Sequence, residues 1–335
     1  MKTPGATERV HPADDASIER AARTLAAGEL VAFPTETVYG LGADAANPAA
    51  VAAIYSAKGR PSGHPLIVHL ADASHLGHWA REIPEGARRL ANAFWPGPLT
   101  LILPRTALAG DAVTGGQDTV GLRVPSHPVA RALLAAFARL GGLGVAAPSA
   151  NRYGHVSPTT AAHVASDLGG RVAMIVDGGR CDVGIESTIV AFVDGRAVLM
   201  RPGGIGADAI ARVLGRAPEP PGADAPRASG THLSHYAPRT AAFLVDAHAL
   251  ATEMLRLSER DEVVAVLARR AARPAGFDGP WIDAPGDAEG YARELYANLR
   301  ALDTAGADAI LVVAPPAGAD WDAVRDRLAR ATHRG

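Results

Sequence analysis

The chain has 335 residues, of which 48% are hydrophobic and 20% charged, as is usual for folded globular proteins. This apolar content excludes a mainly disordered chain, and the length predicts about two domains. With 33 basic and 35 acidic residues the formal net charge is −2, so no overall field favours nucleic acid or an anionic membrane, although a local basic patch stays possible.

Apolar runs bounded by turn residues predict a first domain that mixes helices and strands. Strands are predicted at Leu30–Phe33, Leu66–Leu70, Leu99–Leu103, Val120–Val124, Leu143–Ala147, Val172–Val176, Ser187–Phe192 and Ala197–Met200. Helices are predicted at Ala16–Ala27, Asn47–Ala57, Ala73–Trp79, Glu85–Phe94, Pro128–Leu140 and Ser157–Leu168. Because the two types do not alternate strictly, we expect a mixed sheet.

A composition break follows this domain, since residues 216–230 are rich in Pro, Gly and Ala and are typical of a linker. Beyond it, strands and helices alternate, the pattern of a small doubly wound α/β domain. The predicted strands are Ala242–Val245, Val263–Leu267 and Ala309–Val313, and the predicted helices are Ala249–Ser258, Ala288–Leu302 and Trp321–Ala331.

The cysteine content and the hydropathy of the sequence predict its cellular compartment. The one cysteine, Cys181, cannot form an internal disulfide or a multi-cysteine metal site, which favours a reducing compartment. The N-terminal residues contain no apolar core of a signal peptide, and no run of about 18 apolar residues could cross a membrane. We therefore expect a cytoplasmic protein with no membrane partner.

Lysine is rare in this sequence. Only Lys2 and Lys58 are lysines, and every other basic residue among the 33 is arginine. Lys2 stands in the N-terminal tail, so Lys58 is the one lysine expected in the folded body. Its retention indicates either a need for a compact, mobile ammonium group or chance.

Several familiar motifs are missing or out of context. No Walker P-loop occurs, and two near-matches to a dinucleotide fingerprint, at Gly40–Ala45 and Gly142–Ala147, are interpreted as structural glycines. The twelve histidines form no zinc spacing, so no metal held by protein side chains is predicted.

Polar loops at strand ends are the remaining candidates for a ligand site. Thr35, Glu36 and Thr37 follow an apolar strand, where they are poor core material. Lys58 and Arg60 flank a glycine at a predicted helix end, where they could hold a phosphate chain or merely complement the helix dipole.

Three further positions have two interpretations each. Arg123 lies inside an apolar strand and needs an anion, which a ligand carboxylate or a protein Asp or Glu could supply. Ser149 and Asn151 follow a buried strand and suit phosphate oxygens or the water shell of a metal. Ser157 at a predicted helix start could bind an anion or only cap the helix.

Taken together, these loops resemble the YrdC-like family of threonylcarbamoyl-AMP synthases, in its long two-domain form. The motifs that carry the resemblance are PTETVYGLGADA, AKGRP with HPLIVH, FWPGPLT, VGLRVP, PSAN with SPT, DGG, GIESTIV and RPG, from about Ala13 to Gly203, and then SHYAP at Ser234–Pro238. The resemblance implies an α/β fold: a twisted mixed sheet with a large concave cavity, followed by a smaller Rossmann-like domain. The expected domains are residues 13–203, a linker or lid at 204–240, and residues 241–333.

The resemblance also implies a reaction. L-threonine, bicarbonate and ATP with Mg²⁺ would give threonylcarbamoyl-adenylate and pyrophosphate. Other proteins would then transfer the threonylcarbamoyl group to adenosine 37 of ANN-decoding tRNAs, and the enzyme itself could touch tRNA weakly.

By family position, each site residue acquires a role. The catalytic residues would be Lys58, Arg60, Ser149 and Asn151. The ATP-binding residues would be these four with His64, Thr119, Ser157, Arg201 and Tyr236. The threonine-binding residues would be Thr35, Thr37, His69, Arg123, Ala147 and Ser187. Two departures stand out: many relatives have Asn where His64 stands, and the residues Thr231-His232-Leu233-Ser234 differ from the more basic linker of many relatives.

Two other functions were weighed. A double-stranded RNA or tRNA-binding module without catalysis is the main alternative, and the net charge argues against a large nucleic-acid footprint. A carbamoyltransferase of hydrogenase maturation shares a YrdC-like module but requires zinc-finger cysteines, which a chain with one cysteine does not have.

Overall fold

The computed structural model describes residues 6–230 and 236–333, which form two compact units. The first unit comprises residues 6–153 and 158–230. The second comprises residues 154–157 and 236–333. The chain thus enters the second unit briefly at 154–157 before it returns to the first.

The first unit is built on one large sheet. Its strands in the described ranges are β1 (Val10–Pro12), β2 (Val31–Phe33), β3 (Gly40–Asp44), β4 (Ile67–His69), β5 (Leu99–Pro104), β6 (Thr119–Arg123), β7 (Val145–Ala146), β8 (Met174–Asp177), β9 (Thr188–Val193) and β10 (Arg196–Arg201). They lie in the order β1-β8-β2-β3-β7-β4-β6-β5-β9-β10. Parallel pairs such as β4 with β6 and antiparallel pairs such as β5 with β6 occur side by side. The prediction of a mixed sheet is therefore confirmed.

Helices cover both faces of this sheet. They are α1 (Asp15–Ala26), α2 (Pro48–Lys58), α3 (Leu76–Trp79), α4 (Glu85–Phe94), α5 (Asp111–Thr114), α6 (Pro128–Arg139), α7 (Ala161–Leu168) and α8 (Ala207–Leu214). Neighbouring residues of β2 face opposite cores, because Val31 and Phe33 join one cluster with α1 and α6 while Ala32 joins the other. Burial of each large apolar side chain stabilises the unit by about 1.5–3 kcal/mol.

Helix α2 begins and ends where local signals place it. The side chain of Asn47 accepts hydrogen bonds from the N–H groups of Ala49 and Ala50. At the other end Gly59 has a φ of 64°, a left-handed conformation that glycine adopts without a steric penalty. The chain therefore turns directly after Lys58, the last residue of the helix.

The predicted helix start at Ser157 is wrong. Helix α7 begins at Ala161, and the side chain of Thr160 caps it by accepting from the N–H of His163. The carbonyls of Pro158 and Thr159 accept hydrogen bonds from the N–H groups of Tyr39 and Cys181 instead. These distant loops take up the two carbonyls, residues 157–159 are not helical, and Ser157 is neither a helix cap nor part of a helix N-terminus.

Five of the helices and strands named here were not predicted. They are strands β1 and β3, helices α5 and α8 and, in the second unit, β13 (Trp281–Asp283). Strand β3 contains two glycines, and at one of them there is no space for a side chain. A Cβ on Gly42 would lie 2.8 Å from the ring of Phe33. Helix α8 occupies part of the segment that was predicted as linker.

The second unit is a small α/β domain, as predicted. Its sheet has the order β11-β14-β12-β13, with β11 (Ala241–Val245), β12 (Val264–Ala268), β13 and β14 (Ala309–Val313) all parallel. The helices are α9 (Leu250–Ser258), α10 (Ala288–Asp303) and α11 (Asp322–Ala331). Across residues 6–230 and 236–333, no helix combines the length and apolar character that a bilayer crossing requires.

Candidate active site

Lys58 ties two predicted motifs together. Its Nζ donates hydrogen bonds to the backbone carbonyls of Ser149 at 2.5 Å and of Asn151 at 2.6 Å. The N–H of Tyr153 in turn donates to the carbonyl of Lys58 at 2.9 Å. Three hydrogen bonds therefore join the end of α2 to the loop at Ser149–Tyr153.

The ammonium of Lys58 is poorly stabilised in this position. The side chain is only 3% exposed. Burial and the charge of Arg60 hold the pKa of Lys58 well below its ordinary value, and Asp167 and Glu186 offset this only in part. An added anion beside Lys58 would favour its charged form.

Arg60 lies in an aromatic and polar setting two residues further on. Its Nη2 donates to the carbonyl of Pro65 at 3.1 Å and contacts the hydroxyl of Ser229 at 3.5 Å. The guanidinium stands 5.9 Å from the ring centre of Tyr153, and the Tyr153 hydroxyl lies 3.3 Å from Nδ1 of His64. The structure thus brings His64 into the same group as Arg60.

Arg201, the last residue of strand β10, also belongs to this group. Its Nε and Nη2 donate to the carbonyl of Ser187 at 3.1 and 2.9 Å, and its Nη1 donates to the carbonyl of Ser229 at 2.8 Å. The hydroxyl of Ser187 lies 2.8 Å from that of Thr100. Two buried arginines predicted to bind ATP, Arg60 and Arg201, therefore reach the same residue, Ser229.

Ser229 belongs to a short stretch of the linker, Arg227–Ser229, which we call the linker strap. Gln117 holds the backbone of Arg227 by accepting from its N–H at 2.6 Å and donating to its carbonyl at 3.1 Å. The guanidinium of Arg227 donates to the carbonyls of Gly63 and Gly115, both at 2.7 Å. Together with Thr119, the strap lines a small cavity over the sheet. Sequence reasoning missed Gln117, which no motif marks.

A second group surrounds Arg123 at the end of β6. Its Nη2 lies 2.8 Å from Oε1 of Glu36, and its Nε donates to the carbonyl of Gly97 at 3.3 Å. The other carboxylate oxygen of Glu36 accepts from the N–H of Ser126 at 3.2 Å. The sequence allowed either a ligand carboxylate or a protein acid as the anion beside Arg123. In the structure Glu36 is that anion.

Glu36 was missing from the predicted site residues. Burial alone raises the pKa of this carboxyl, but the Arg123 guanidinium outweighs it and keeps the pKa below its ordinary value. The signal was available, because a glutamate between two threonines after an apolar strand is poor core material and Arg123 required an anion.

His69 is the neighbour of Arg123 in the parallel pair of β4 with β6. Burial, assisted by the charge of Arg123, lowers the pKa of His69 to about 3, so its ring is neutral at physiological pH. Among the described residues, Nδ1 of His69 has no hydrogen-bond partner. A buried ring nitrogen of this kind is suited to a polar ligand.

The remaining threonine-binding candidates lie in tight turns. The hydroxyl of Thr35 donates to the carbonyl of Val38 at 2.6 Å and lies 2.8 Å from the hydroxyl of Thr37. The N–H of Ala147, which follows β7, donates to the carbonyl of Ile67 at the start of β4 at 3.0 Å. These bonds fix the backbone of the loop after β2 and of the residue after β7.

Gly203 lets two segments approach closely behind Ser187. A Cβ at this position would lie 2.3 Å from the backbone nitrogen of Thr188 and 2.7 Å from the carbonyl carbon of Ser187.

We expect Gly203→Ala to displace Ser187 and to lower the free energy of unfolding by about 1–3 kcal/mol, as measured by urea unfolding. Gly77→Ala is the control, because a Cβ there meets nothing within 4 Å and alanine suits its helix; equal stability of the two variants would contradict this account.

Two predicted ATP contacts belong to the second unit. Ser157 is fully buried, and Tyr236 is 1% exposed, with its ring centre 5.6 Å from that of Tyr296. Residues 231–235 of the predicted linker, which include the first part of the SHYAP motif, lie outside the described residues.

No side-chain group in the described ranges combines three or more His, Cys, Asp or Glu residues in a way that could hold a metal ion. The hydrogen bonds given for Nζ of Lys58 go to backbone carbonyls, and Asp167 and Glu186 act on it through their charge.

Comparison with known proteins identifies the family. Residues 23–203 match the family model described as "Telomere recombination", which covers Sua5, YciO and YrdC proteins, and residues 205–332 match the C-terminal domain of threonylcarbamoyl-AMP synthase. The chain is 39% identical to a threonylcarbamoyl-AMP synthase of Pyrococcus abyssi over 327 residues, 94% of each chain. It is 50% identical over 230 residues to the Bacillus subtilis protein of the same name, covering 67% of this chain and 65% of the relative.

A solved structure matches both units. The crystal structure of P. abyssi Sua5 complexed with L-threonine has a TM-score of 0.90 and 37% identity, and the match covers 96% of this chain and 97% of that one. The chain therefore belongs to the threonylcarbamoyl-AMP synthase family of enzymes, in its two-domain form.

Proposed function

We propose that the chain condenses L-threonine, bicarbonate and ATP into L-threonylcarbamoyl-adenylate and pyrophosphate. The observation that carries this proposal is the group of buried cations Lys58, Arg60 and Arg201, held by carbonyl and hydroxyl oxygens. A triphosphate carries several negative charges and oxygen acceptors, which ammonium and guanidinium groups bind through charge-assisted hydrogen bonds.

The proposed reaction balances without a covalent enzyme intermediate. Bicarbonate takes up a proton and loses water to give CO₂, and the neutral amine of threonine adds to that carbon and releases a proton, which gives a carbamate. A carbamate oxygen then attacks the α-phosphorus of ATP, the bond from that phosphorus to the bridging oxygen breaks, and pyrophosphate leaves with the electron pair. The protein has to position the reactants and neutralise charge, as in other phosphoryl transfers.

The nucleotide roles follow from this chemistry. Lys58, Arg60 and Arg201 would neutralise the triphosphate. Hydroxyl and amide groups of Ser149, Asn151 and Ser157 would bind its oxygens, and Thr119, His64 and Tyr236 would make further contacts. Mg²⁺ would enter with the ATP phosphates, and oxygens such as those of Ser149 and Asn151 suit its water shell.

The threonine roles follow from the second group. Arg123 would bind the threonine carboxylate. Because Nε and Nη2 already contact Gly97 and Glu36, the carboxylate would approach the Nη1 side of the guanidinium. Thr35, Thr37, Ala147 and Ser187 would surround the rest of the molecule, and the neutral ring of His69 would provide a hydrogen-bonding nitrogen.

The linker would protect the labile adenylate from water. The linker strap already contacts Arg60 and Arg201 through Ser229. A closed cover of this kind excludes solvent from the reacting groups. The product would then pass to proteins that modify adenosine 37 of ANN-decoding tRNAs, a role that places the enzyme in the cytoplasm.

The product itself tests the proposal. Incubation with ATP, L-threonine and ¹³C-bicarbonate should give an adenylate that mass spectrometry detects with one labelled carbon. Omission of L-threonine provides the control. AMP or ADP without a labelled adenylate would contradict the proposed reaction.

The depressed pKa of Lys58 predicts proton uptake on ATP binding. The triphosphate favours the charged ammonium, so it raises the pKa of Lys58 relative to the free protein. Between the free and bound values, each molecule of ATP bound takes up protons, and the affinity falls as the pH rises. Calorimetric titration in two buffers of different ionisation enthalpy measures this uptake. An uptake that is equal in the wild type and in Lys58→Met would contradict the assignment to Lys58.

A further inference from the structure

The second unit holds the 154–157 segment by its backbone. The N–H of Ala237 donates to the carbonyl of Gly154 at 2.9 Å, and His155 pairs with Ala237 in a parallel bridge. This segment ends in Ser157, whose hydroxyl is a proposed ATP contact.

Arg300 on α10 holds the other end of the segment. Its Nη2 donates to the carbonyl of Val156, and its Nε donates to the carbonyl of Ser157 at 3.4 Å. One half-buried guanidinium thus engages two consecutive carbonyls. Its planar fork fixes the orientation of this backbone in a way that a single point charge does not.

Tyr296 lies one turn before Arg300 on the same face of α10. Its ring packs against Tyr236, and the guanidinium of Arg327 from α11 lies 5.5 Å from the centre of the Tyr236 ring. One face of α10 therefore contacts both parts of the second unit that carry proposed ATP contacts, namely the 154–157 segment and Tyr236.

We propose that Arg300 is a positioning residue for ATP binding, through its hydrogen bonds to the carbonyls of Val156 and Ser157. Both Arg300 and the 154–157 segment that it contacts belong to the second unit. The inference rests on the proposed function, because it assumes that Ser157 faces the nucleotide.

The test compares ATP and L-threonine affinities in full-length variants. Arg300→Ala should raise the Kd for Mg-ATP about tenfold, the loss expected for one charged hydrogen-bonding group. The Kd for L-threonine should stay within about twofold, because its proposed contacts lie in the first unit. A purely structural role would weaken both ligands together.

Two further variants control for folding. Arg300→Lys keeps the charge and most of the stem but loses the fork, so its Kd for ATP should lie between those of the wild type and Arg300→Ala. Arg293→Ala removes an exposed arginine from the same helix and should bind both ligands like the wild type. Melting temperatures identify any variant that fails to fold.

The outcomes separate this inference from the proposed function. Wild-type ATP affinity in both Arg300 variants would overturn the inference, as would equal losses for ATP and L-threonine. A wild type that binds ATP but forms no adenylate would contradict the proposed function, and the affinity comparison would still decide the role of Arg300. A wild type that binds no ATP would overturn both.

Discussion

Lys58→Ala should lower pyrophosphate release by about 10²–10³-fold. The substitution removes a proposed triphosphate contact and also leaves the carbonyls of Ser149 and Asn151 without their Nζ donor. The loop that carries both side chains would lose its anchor to α2. Steady-state pyrophosphate release measures the effect, and L-threonine binding should persist.

The chain provides a matched control for this variant. Lys2 is the other lysine of the sequence and belongs to none of the motifs of the predicted site, so Lys2→Ala removes the same chemical group and should leave turnover intact. Wild-type turnover in Lys58→Ala would show that the triphosphate does not need this ammonium. Loss of L-threonine binding in that variant would instead point to a general collapse of the site.

Arg123→Ala should raise the KM for L-threonine about 10²-fold, with a much smaller effect on the KM for ATP. The substitution removes the proposed carboxylate contact. It also leaves the carboxylate of Glu36 buried without its cation, which costs about 3–5 kcal/mol of stability. Kinetic measurements therefore need to be accompanied by unfolding measurements.

A double variant separates these two effects. Arg123→Ala combined with Glu36→Gln removes the stranded charge, so stability should recover in part while L-threonine binding stays weak. The proposed role of Arg123 fails if the KM values for ATP and L-threonine rise equally, or if the double variant recovers L-threonine binding.

Sequence reasoning succeeded where the signal is local. Helix α2 was predictable because Asn47 and Gly59 are cap residues whose preferences depend on their own backbone. The small second domain was predictable because its strands and helices alternate. The family was predictable too, because its motifs follow one another in order along the chain.

The failures share a physical cause, which is competition from residues far away in the chain. Ser157 precedes a proline and looks like a helix start, but Tyr39 and Cys181 engage the next two carbonyls. The partner of Arg123 could have been any acid or a ligand, and only the folded sheet brings Glu36 to it.

Burial of a linker residue is equally non-local. Tyr236 lies in the linker predicted at 204–240, and its sequence neighbours indicate an exposed loop. Its ring is nevertheless buried against Tyr296 and Arg327, which depends on the packing of α10 and α11. Whether Tyr236 contacts ATP stays a prediction.

The central claim is that ATP is cleaved at the α-phosphorus only when both threonine and bicarbonate are present. Pyrophosphate release from ATP, with L-threonine and bicarbonate omitted in turn, tests it most directly. The account predicts release with both substrates and almost none when either is missing. Release that is indifferent to L-threonine, or RNA binding with no release under any condition, would contradict it.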